Sequence, residues 1–505
     1  MRHLSSAVFT RCGTRLLLCS ALALTALLPL TTPGAQAADK AKVTAPTPGQ
    51  TGSGQTGSGQ GAGPETAAGM GTTTPPVSPT APGVTLTPDP ATLRTGYVLM
   101  DAKTGQVLAA EKARETFIPA SVTKVVSMIG ILSMAPPDFR FSTTVTATGP
   151  VKNGIVQGDL ILVGGGDASL DIDAFEELVQ TLKDQGIKGI KGKFLYDATA
   201  LPTIPVLEAT QPPEVPYNPG LSGLGVSYNR FRIGFDKQGK PVGLEQPLAL
   251  YPEPLPATLD KSDTALAVHD AALYAARTFV WVADRNGLKL PAPQAAAGVT
   301  GSATLARHLS EPLTDMLKAS VYHSNNVALE TMSLAVTAGK TLQEAADSLR
   351  KLAQTAIPSV AWGGLVMPNA SGLSPEGRMT PGQCAALARF AGTSSVANQP
   401  LKPFLPGLMQ DPFGIPDGYL NSPSTLRGKS GTMFYARALA GVFTAKSGRE
   451  MAYCVMSDDQ VARIKYDAIP FDQREADTNK LPARDWLKSA RAKEAALITG
   501  WIEAN

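Results

Sequence analysis

Residues that hold metals are scarce. Among 505 residues there are four histidines and four cysteines, with no His-Glu-x-x-His pattern and no Cys/His cluster. That composition excludes a zinc site of the usual spacing. His269, His308 and His323 are too widely separated to be ligands of one ion; His323, beside Ser324, can line a cleft, but a surface or packing role is expected for it. An excess of charge of one sign is also missing. The formal charge is +3, and residues 1–37 hold Arg2, Arg11 and Arg15 with no acid, so the remainder carries 42 basic against 42 acidic residues. A neutral balance gives no electrostatic reason to expect nucleic acid or a bulk membrane surface as partner.

Long hydrophobic runs are nearly absent. The run LLLCSALALTALLPL at 16–30 is short for a spanning helix, comes after a basic segment and precedes the small residues AQA at 35–37. That pattern is a secretory signal, so removal of residues 1–37 and export to the periplasm or cell surface are expected. Leu18 before Cys19 is too bulky for a lipoprotein cleavage site. Only Cys384 and Cys454 remain afterwards, each in an apolar context (QCAALARF, AYCVM), and buried small hydrophobes are expected rather than a disulfide. Residues 38–90 are rich in Gly, Ser, Thr and Pro without apolar periodicity, the composition of a flexible tether.

Beyond the tether the sequence has the periodicities of a folded chain. GYVLMDAKTGQVLAAEKA (96–113) reads as a hairpin, and the apolar run at 121–134, stopped by Pro136-Pro137, reads as a buried helix. From about residue 141 the texture turns to short strands and Pro-rich loops, with helices at DAFEELVQTLKDQGI and ALAVHDAALYAARTFVWVADRNGL. Helices return at LTDMLKASVYHSNNVALETMSLAV and TLQEAADSLRKLAQTA. Two strands come next, ARALAGVFTA and EMAYCVMSDD, and then an amphipathic helix, DWLKSARAKEAALITGWI. The expected organisation is α/β: an antiparallel sheet flanked by helices, split as 91–145 and 301–505 around an inserted, mostly β domain at 146–300.

Three short motifs carry chemistry. SVTK (121–124) sets a hydroxyl at the first turn of a buried helix and an amine three residues on, on the same face. A lysine kept neutral by burial can take the proton of a serine hydroxyl. A second Ser-x-x-Lys, SLRK at 348–351, falls on a polar amphipathic helix where Lys351 is a solvated charge. SNN (324–326) offers a hydroxyl for proton relay and an amide for a substrate, against the plainer reading of helix capping; SYN at 227–229 is its decoy. Lys-Ser-Gly occurs twice. The copy at 446–448 sits between two strands and reads as a hairpin tip, whereas the copy at 429–431 can open a strand that borders a cleft. A phosphate loop would need Gly at 423, where Pro423 stands.

The order Ser-x-x-Lys, Ser-x-Asn, Lys-Ser-Gly resembles the penicillin-recognising serine acyl-enzymes. Within them the chain is similar to the low-molecular-mass class C penicillin-binding proteins, the D-alanyl-D-alanine carboxypeptidase/endopeptidase family, whose inserted domain fits the 203-residue separation of Ser121 and Ser324. DFRFSTTV, GDLILVGGGDASL and NASGLSPEGRMTP also resemble its recurring segments. The resemblance implies the penicillin-binding/serine β-lactamase-like transpeptidase fold. It further implies Ser121 as the acylated nucleophile, Lys124 as its base, and Ser324 with Asn326 relaying a proton and holding the substrate amide. Lys429 and Ser430 would orient the substrate carboxylate, and the backbone N–H groups of Ser121 and Thr432 would form the oxyanion hole. The implied partners are peptidoglycan peptides ending in D-Ala-D-Ala, and β-lactams; no cofactor or metal is implied.

Two departures stand out: Ser430 replaces the usual Thr, and Asn369 stands where Asp is common. No Glu-x-x-x-Asn segment of the class A β-lactamase kind occurs after Ser324 at suitable spacing, so a target of β-lactams is expected rather than a destroyer of them. A cell-wall-binding protein without turnover, and a β-lactamase or esterase on the same frame, are the competing readings.

Overall fold

The computed structural model describes residues 93–505 apart from 257–258, 260–263, 300, 408–424 and 475. The expected signal sequence at 1–37 and the low-complexity stretch at 38–90 lie outside the described residues. In chain order, β1 (Arg94–Asp101) and β2 (Val107–Glu111) form the hairpin that the alternation predicts. A 3-10 turn, Ala120–Thr123, runs directly into α1 (Lys124–Met134), so Ser121 sits on a tighter turn than the continuous helix expected. Then come β3 (Ser142–Ala147), β4 (Leu160–Val163), α2 (Ile172–Asp184) and β5 (Phe194–Asp197).

The stretch at 265–288 is not helical throughout: Ala265–Ala267 is a strand, and α3 (Ala271–Arg285) starts where the Asp270 carboxylate accepts from Leu273 N at 3.0 Å. After β6 (Pro293–Ala295) and β7 (Ala303–Leu309) come α4 (Leu313–Tyr322), α5 (Asn326–Thr337), α6 (Leu342–Ala356) and α7 (Pro381–Thr393). The chain ends with β8 (Arg427–Met433), β9 (Ala436–Thr444), β10 (Glu450–Asp458), α8 (Gln460–Asp467), α9 (Phe471–Arg474) and α10 (Asp477–Ala504). α10 begins earlier than its amphipathic pattern suggests and contains Pro482.

Period-two side chains divide the first sheet, ordered β8-β9-β10-β1-β2, between two cores. On one face Val98, Met100, Ala438, Ala440, Ala452 and Cys454 pack with α1 and α7. On the other, Tyr97, Leu99, Leu439, Phe443 and Tyr453 meet Ile498 and Trp501 of α10. The helix-side residues are mostly small, which lets helices approach the sheet closely. A second sheet, ordered β6-β5-β4-β3-β7, has its own core with α2 and α3. Its strands β3 and β7 pair antiparallel, Ala147 opposite Ala303 and Ser142 opposite Leu309. Cys384 on α7 and Cys454 on β10 are free and buried, as their apolar contexts suggest. Among the described residues no helix is long and apolar enough to cross a membrane.

One ion pair locks α10 to the sheet. Arg437 on β9 donates to both Glu494 oxygens at 2.9 and 2.7 Å and, through Nη1, to Thr432 Oγ1 at 2.8 Å. Both side chains of the pair are only 1% exposed. Removing one member strands the other charge in the interior, at about 3–5 kcal/mol. Glu494→Leu is therefore expected to lower unfolding free energy by at least about 3 kcal/mol in a denaturant titration; a loss under about 1 kcal/mol would mean that the pair contributes little.

Candidate active site

Three elements converge on one buried amine. Lys124, the first residue of α1, is 0% exposed. Its Nζ lies 3.0 Å from Ser121 Oγ, 2.7 Å from Asn326 Oδ1 on α5, and 2.7 Å from the Ser371 carbonyl on the loop before α7. Burial holds this amine well below its ordinary pKa, the nearby Lys429 charge lowers it further, and Glu330 pulls the other way. A neutral amine has two N–H donors and one lone pair. In that form the two carbonyl oxygens would take the donors, and the lone pair would face the Ser121 hydroxyl.

Lys429 of β8 is also 0% exposed, and its Nζ donates to the Ser430 carbonyl at 2.8 Å. Both lysines stand behind the wall of a cleft of about 380 Å³, lined by Ser121, Ser324, Asn326, Ser430 and Thr432 among others. All seven residues singled out in the sequence thus gather in and behind one cleft. The decoys do not. Lys351 is exposed on α6, and Lys446 is exposed on the tip between β9 and β10, bonded to Glu503. Asn229 is buried and donates to the Gly220 carbonyl at 2.8 Å.

Local backbone explains the placement. Gly431 lets β8 run against the Ser121 turn, since a Cβ there would lie 2.4 Å from the Pro119 carbonyl oxygen and 2.9 Å from Ser121 N. Ala120 and Ser324, both on the cleft wall, have left-handed backbone (φ 44° and 52°). Such conformations cost non-glycine residues about 1–3 kcal/mol and recur where function over-determines the geometry. The capping alternative for SNN holds only for its middle residue: Asn325 accepts from Ala328 N at 3.1 Å, which leaves Ser324 and Asn326 to the cleft. Asn326 is fixed at both ends, since its Nδ2 donates to the Tyr217 carbonyl at 3.0 Å. His323 is exposed, the surface position expected of it, and also borders the cleft. Asn369, uncharged where Asp is common, accepts from Leu373 N at 3.0 Å and shapes its loop without a carboxylate.

Some of the site escaped the sequence. Gln211 and Arg230 also line the cleft. Glu330 lies behind it, 0% exposed, accepting from Ala370 N at 3.2 Å and Ser371 N at 2.6 Å. Its signal was present: an acid four residues after Asn326, on a helix whose neighbours VAL and TMSLAV are otherwise free of charge.

Known proteins share both the sequence and the fold. The model of the D-Ala-D-Ala carboxypeptidase 3 (S13) family matches residues 85–247 and 253–477. The chain is 25% identical over 419 residues to a D-alanyl-D-alanine carboxypeptidase of Actinomadura sp. (strain R39), covering 72% of this chain and 77% of that one. It is 24% identical over 383 residues to carboxypeptidase DacB of Mycolicibacterium smegmatis, covering 72% and 75%. Among solved structures, penicillin binding protein 4 (dacB) from Haemophilus influenzae aligns with a TM-score of 0.65 at 18% identity, over 81% of this chain and 97% of that one. The same protein complexed with a β-lactam aligns at 0.62, again at 18% identity and over 81% and 97% of the two chains. These likenesses establish the penicillin-binding fold.

The fit of β8 against the Ser121 turn can be tested directly. Gly431→Val should push the two apart, and misplacement by about 1 Å can cost about 100-fold in rate. The expected outcome is that loss in Ser121 labelling by a serine-directed acylating reagent, with the circular dichroism spectrum unchanged. Labelling at the wild-type rate would mean that this contact does not position the serine.

Proposed function

Because the chain belongs to the D-Ala-D-Ala carboxypeptidase 3 (S13) family of hydrolases, we propose that it is an exported serine carboxypeptidase. It removes the terminal D-alanine from peptidoglycan stem peptides through an acyl-enzyme on Ser121. The observation that carries this reading is the Lys124 amine, buried, 3.0 Å from Ser121 Oγ, with two carbonyl acceptors for its N–H groups. Neutral Lys124 takes the Ser121 proton as Oγ attacks the carbonyl of the penultimate D-Ala. The N–H groups of Ser121 and Thr432 hold the developing oxyanion, a contribution worth about 3–4 kcal/mol per donor.

Ser324 passes a proton to the departing amine, the C–N bond breaks, and D-Ala leaves. Water then attacks the ester and frees Ser121. Asn326 has a second amide N–H beyond the one given to Tyr217 and donates it to the substrate's peptide carbonyl, while Lys429 and Ser430 orient the terminal carboxylate. Cleavage of a cross-link is the same chemistry with a larger leaving group.

The same serine is the proposed site of β-lactam acylation, a reading supported by the β-lactam complex of the Haemophilus relative. Deacylation of the drug should be slow. Among the described residues the acid facing Lys124, Glu330, is engaged by backbone N–H groups and does not line the cleft, so it has no access to an attacking water. Residues 146–300, extended to the paired strands β3 and β7 at their two ends, are proposed as the inserted domain, which supplies Gln211, Tyr217 and Arg230 to the cleft wall. The secretory pattern of residues 1–37 supports export.

The test is release of free D-Ala, measured with a D-amino-acid oxidase, from a peptide ending in D-Ala-D-Ala and from its L-Ala-ended counterpart. Release from the first alone is expected, with none from Ser121→Ala and at least about a 100-fold loss in Lys124→Ala. Binding of the D-Ala-D-Ala peptide without release would sink the hydrolase reading and leave a cell-wall-binding protein.

A further inference from the structure

Glu330 has no part in the acyl-transfer steps above, yet it is one of three fully buried ionisable side chains at the site, with Lys124 and Lys429. It stands one turn along α5 from Asn326, on the same face. Its carboxylate accepts from Ser371 N at 2.6 Å and Ala370 N at 3.2 Å. The carbonyls of those same two residues face α1: Ala370 O accepts from Ser127 Oγ at 2.7 Å, and Ser371 O accepts from Lys124 Nζ at 2.7 Å. The next residue, Gly372, has φ +72°, and a Cβ there would lie 2.0 Å from the Ala120 carbonyl oxygen. The loop therefore presses against the Ser121 turn with one face and is gripped by Glu330 on the other.

The charges around Lys124 single out the same residue. From β8, Lys429 faces the Lys124 amine; from α5, Glu330 does, and Ser121, Asn326 and Ser371 are neutral. The packed faces of α4 and α6 bring no ionisable group, burying Leu313, Met316, Leu317, Ser320 and Val321, and Ala345, Ala346, Leu349 and Ala353. α7 adds the Cys384 thiol. Among the described residues that face the Lys124 amine, Glu330 is thus the anion. Burial raises its own pKa, while the Ser371 and Ala370 donors and the Lys124 charge favour the carboxylate.

We propose that Glu330 is a positioning residue that aims the Ser371 carbonyl at Lys124 and, as the buried counter-charge facing that amine, sets the lowest pH at which Ser121 can be activated. The proposal rests on Lys124 being the base for Ser121. Lys124 works as the free amine, so the rate falls as pH drops through its pKa. The Glu330 charge raises that pKa; neutralising it lowers the pKa and carries the acid limb downward.

The experiment is the pH dependence of acylation by a fluorescent penicillin, recorded by stopped flow in the full chain, for the wild type, Glu330→Gln and Glu330→Asp. Glu330→Gln, which loses the charge and one acceptor, is expected to move the acid limb down by about one pH unit. Glu330→Asp keeps the charge but draws it back by one methylene. It should leave the limb within about 0.3 units and slow the plateau rate about tenfold through the slackened loop. An acid limb in Glu330→Gln identical to wild type would overturn the electrostatic half of the proposal. Should that variant fail to fold, a wild-type plateau in Glu330→Asp would overturn the positioning half. Absence of acylation in the wild type itself would strike the proposed acyl-enzyme instead.

Discussion

A primary amine sealed from water is the constraint around which the rest is arranged. Lys124 has no exposure, and an ammonium there would be strongly disfavoured unless paired. The fold meets this with acceptors from two directions, Asn326 of α5 and the Ser371 carbonyl, and leaves the third direction to Ser121. Each acceptor is itself held. Asn326 is fixed through Tyr217 and Ser371 through Glu330, so the amine sits at the junction of segments up to 247 residues apart. The lowered pKa of Lys124 is then a property of the fold as a whole.

The sheet sets the opposite wall. β8 is its edge strand, and the residues nearest the Ser121 turn, Gly431 and Thr432, are held by pairing with Ala438 and Arg437 of β9. Arg437 also bonds Thr432 Oγ1 and Glu494, so a helix at the far end of the chain helps to fix the strand that lines the cleft. Lys429, buried in the same strand, places a positive charge behind the cleft wall and lowers the Lys124 pKa further. The stability of the sheet and the electrostatics of the site are therefore carried by the same strands.

Much of this was legible in the sequence, for reasons that are physical. Strand alternation identified the hairpin at 96–113 and the pair at 436–458, and a nearly all-apolar run marked α1 as buried. The three motifs could be told from their decoys by context alone: Lys351 on a polar helix and Lys446 at a turn are both exposed. What escaped depends on contacts between distant segments. The Ser371 and Tyr217 carbonyls come from the backbone, to which any residue type contributes equally. The left-handed conformations at Ala120 and Ser324 run against the preferences of those residues and arise only from the packing around them. Glu330 was visible as an isolated acid on an apolar helix, but its partners lie 40 and 41 residues away and no local pattern names them. The strand at Ala265–Ala267 reads as the start of a helix because three consecutive apolar residues fit either pattern.

Intact mass of the protein after exposure to benzylpenicillin, beside Ser121→Ala, tests most directly whether Ser121, held against the buried amine, is the acylated nucleophile. A single stable adduct equal to the drug's full mass on the wild type, located on the peptide containing Ser121 and absent from the variant, is the predicted result. An unmodified wild-type protein with the drug intact would contradict it.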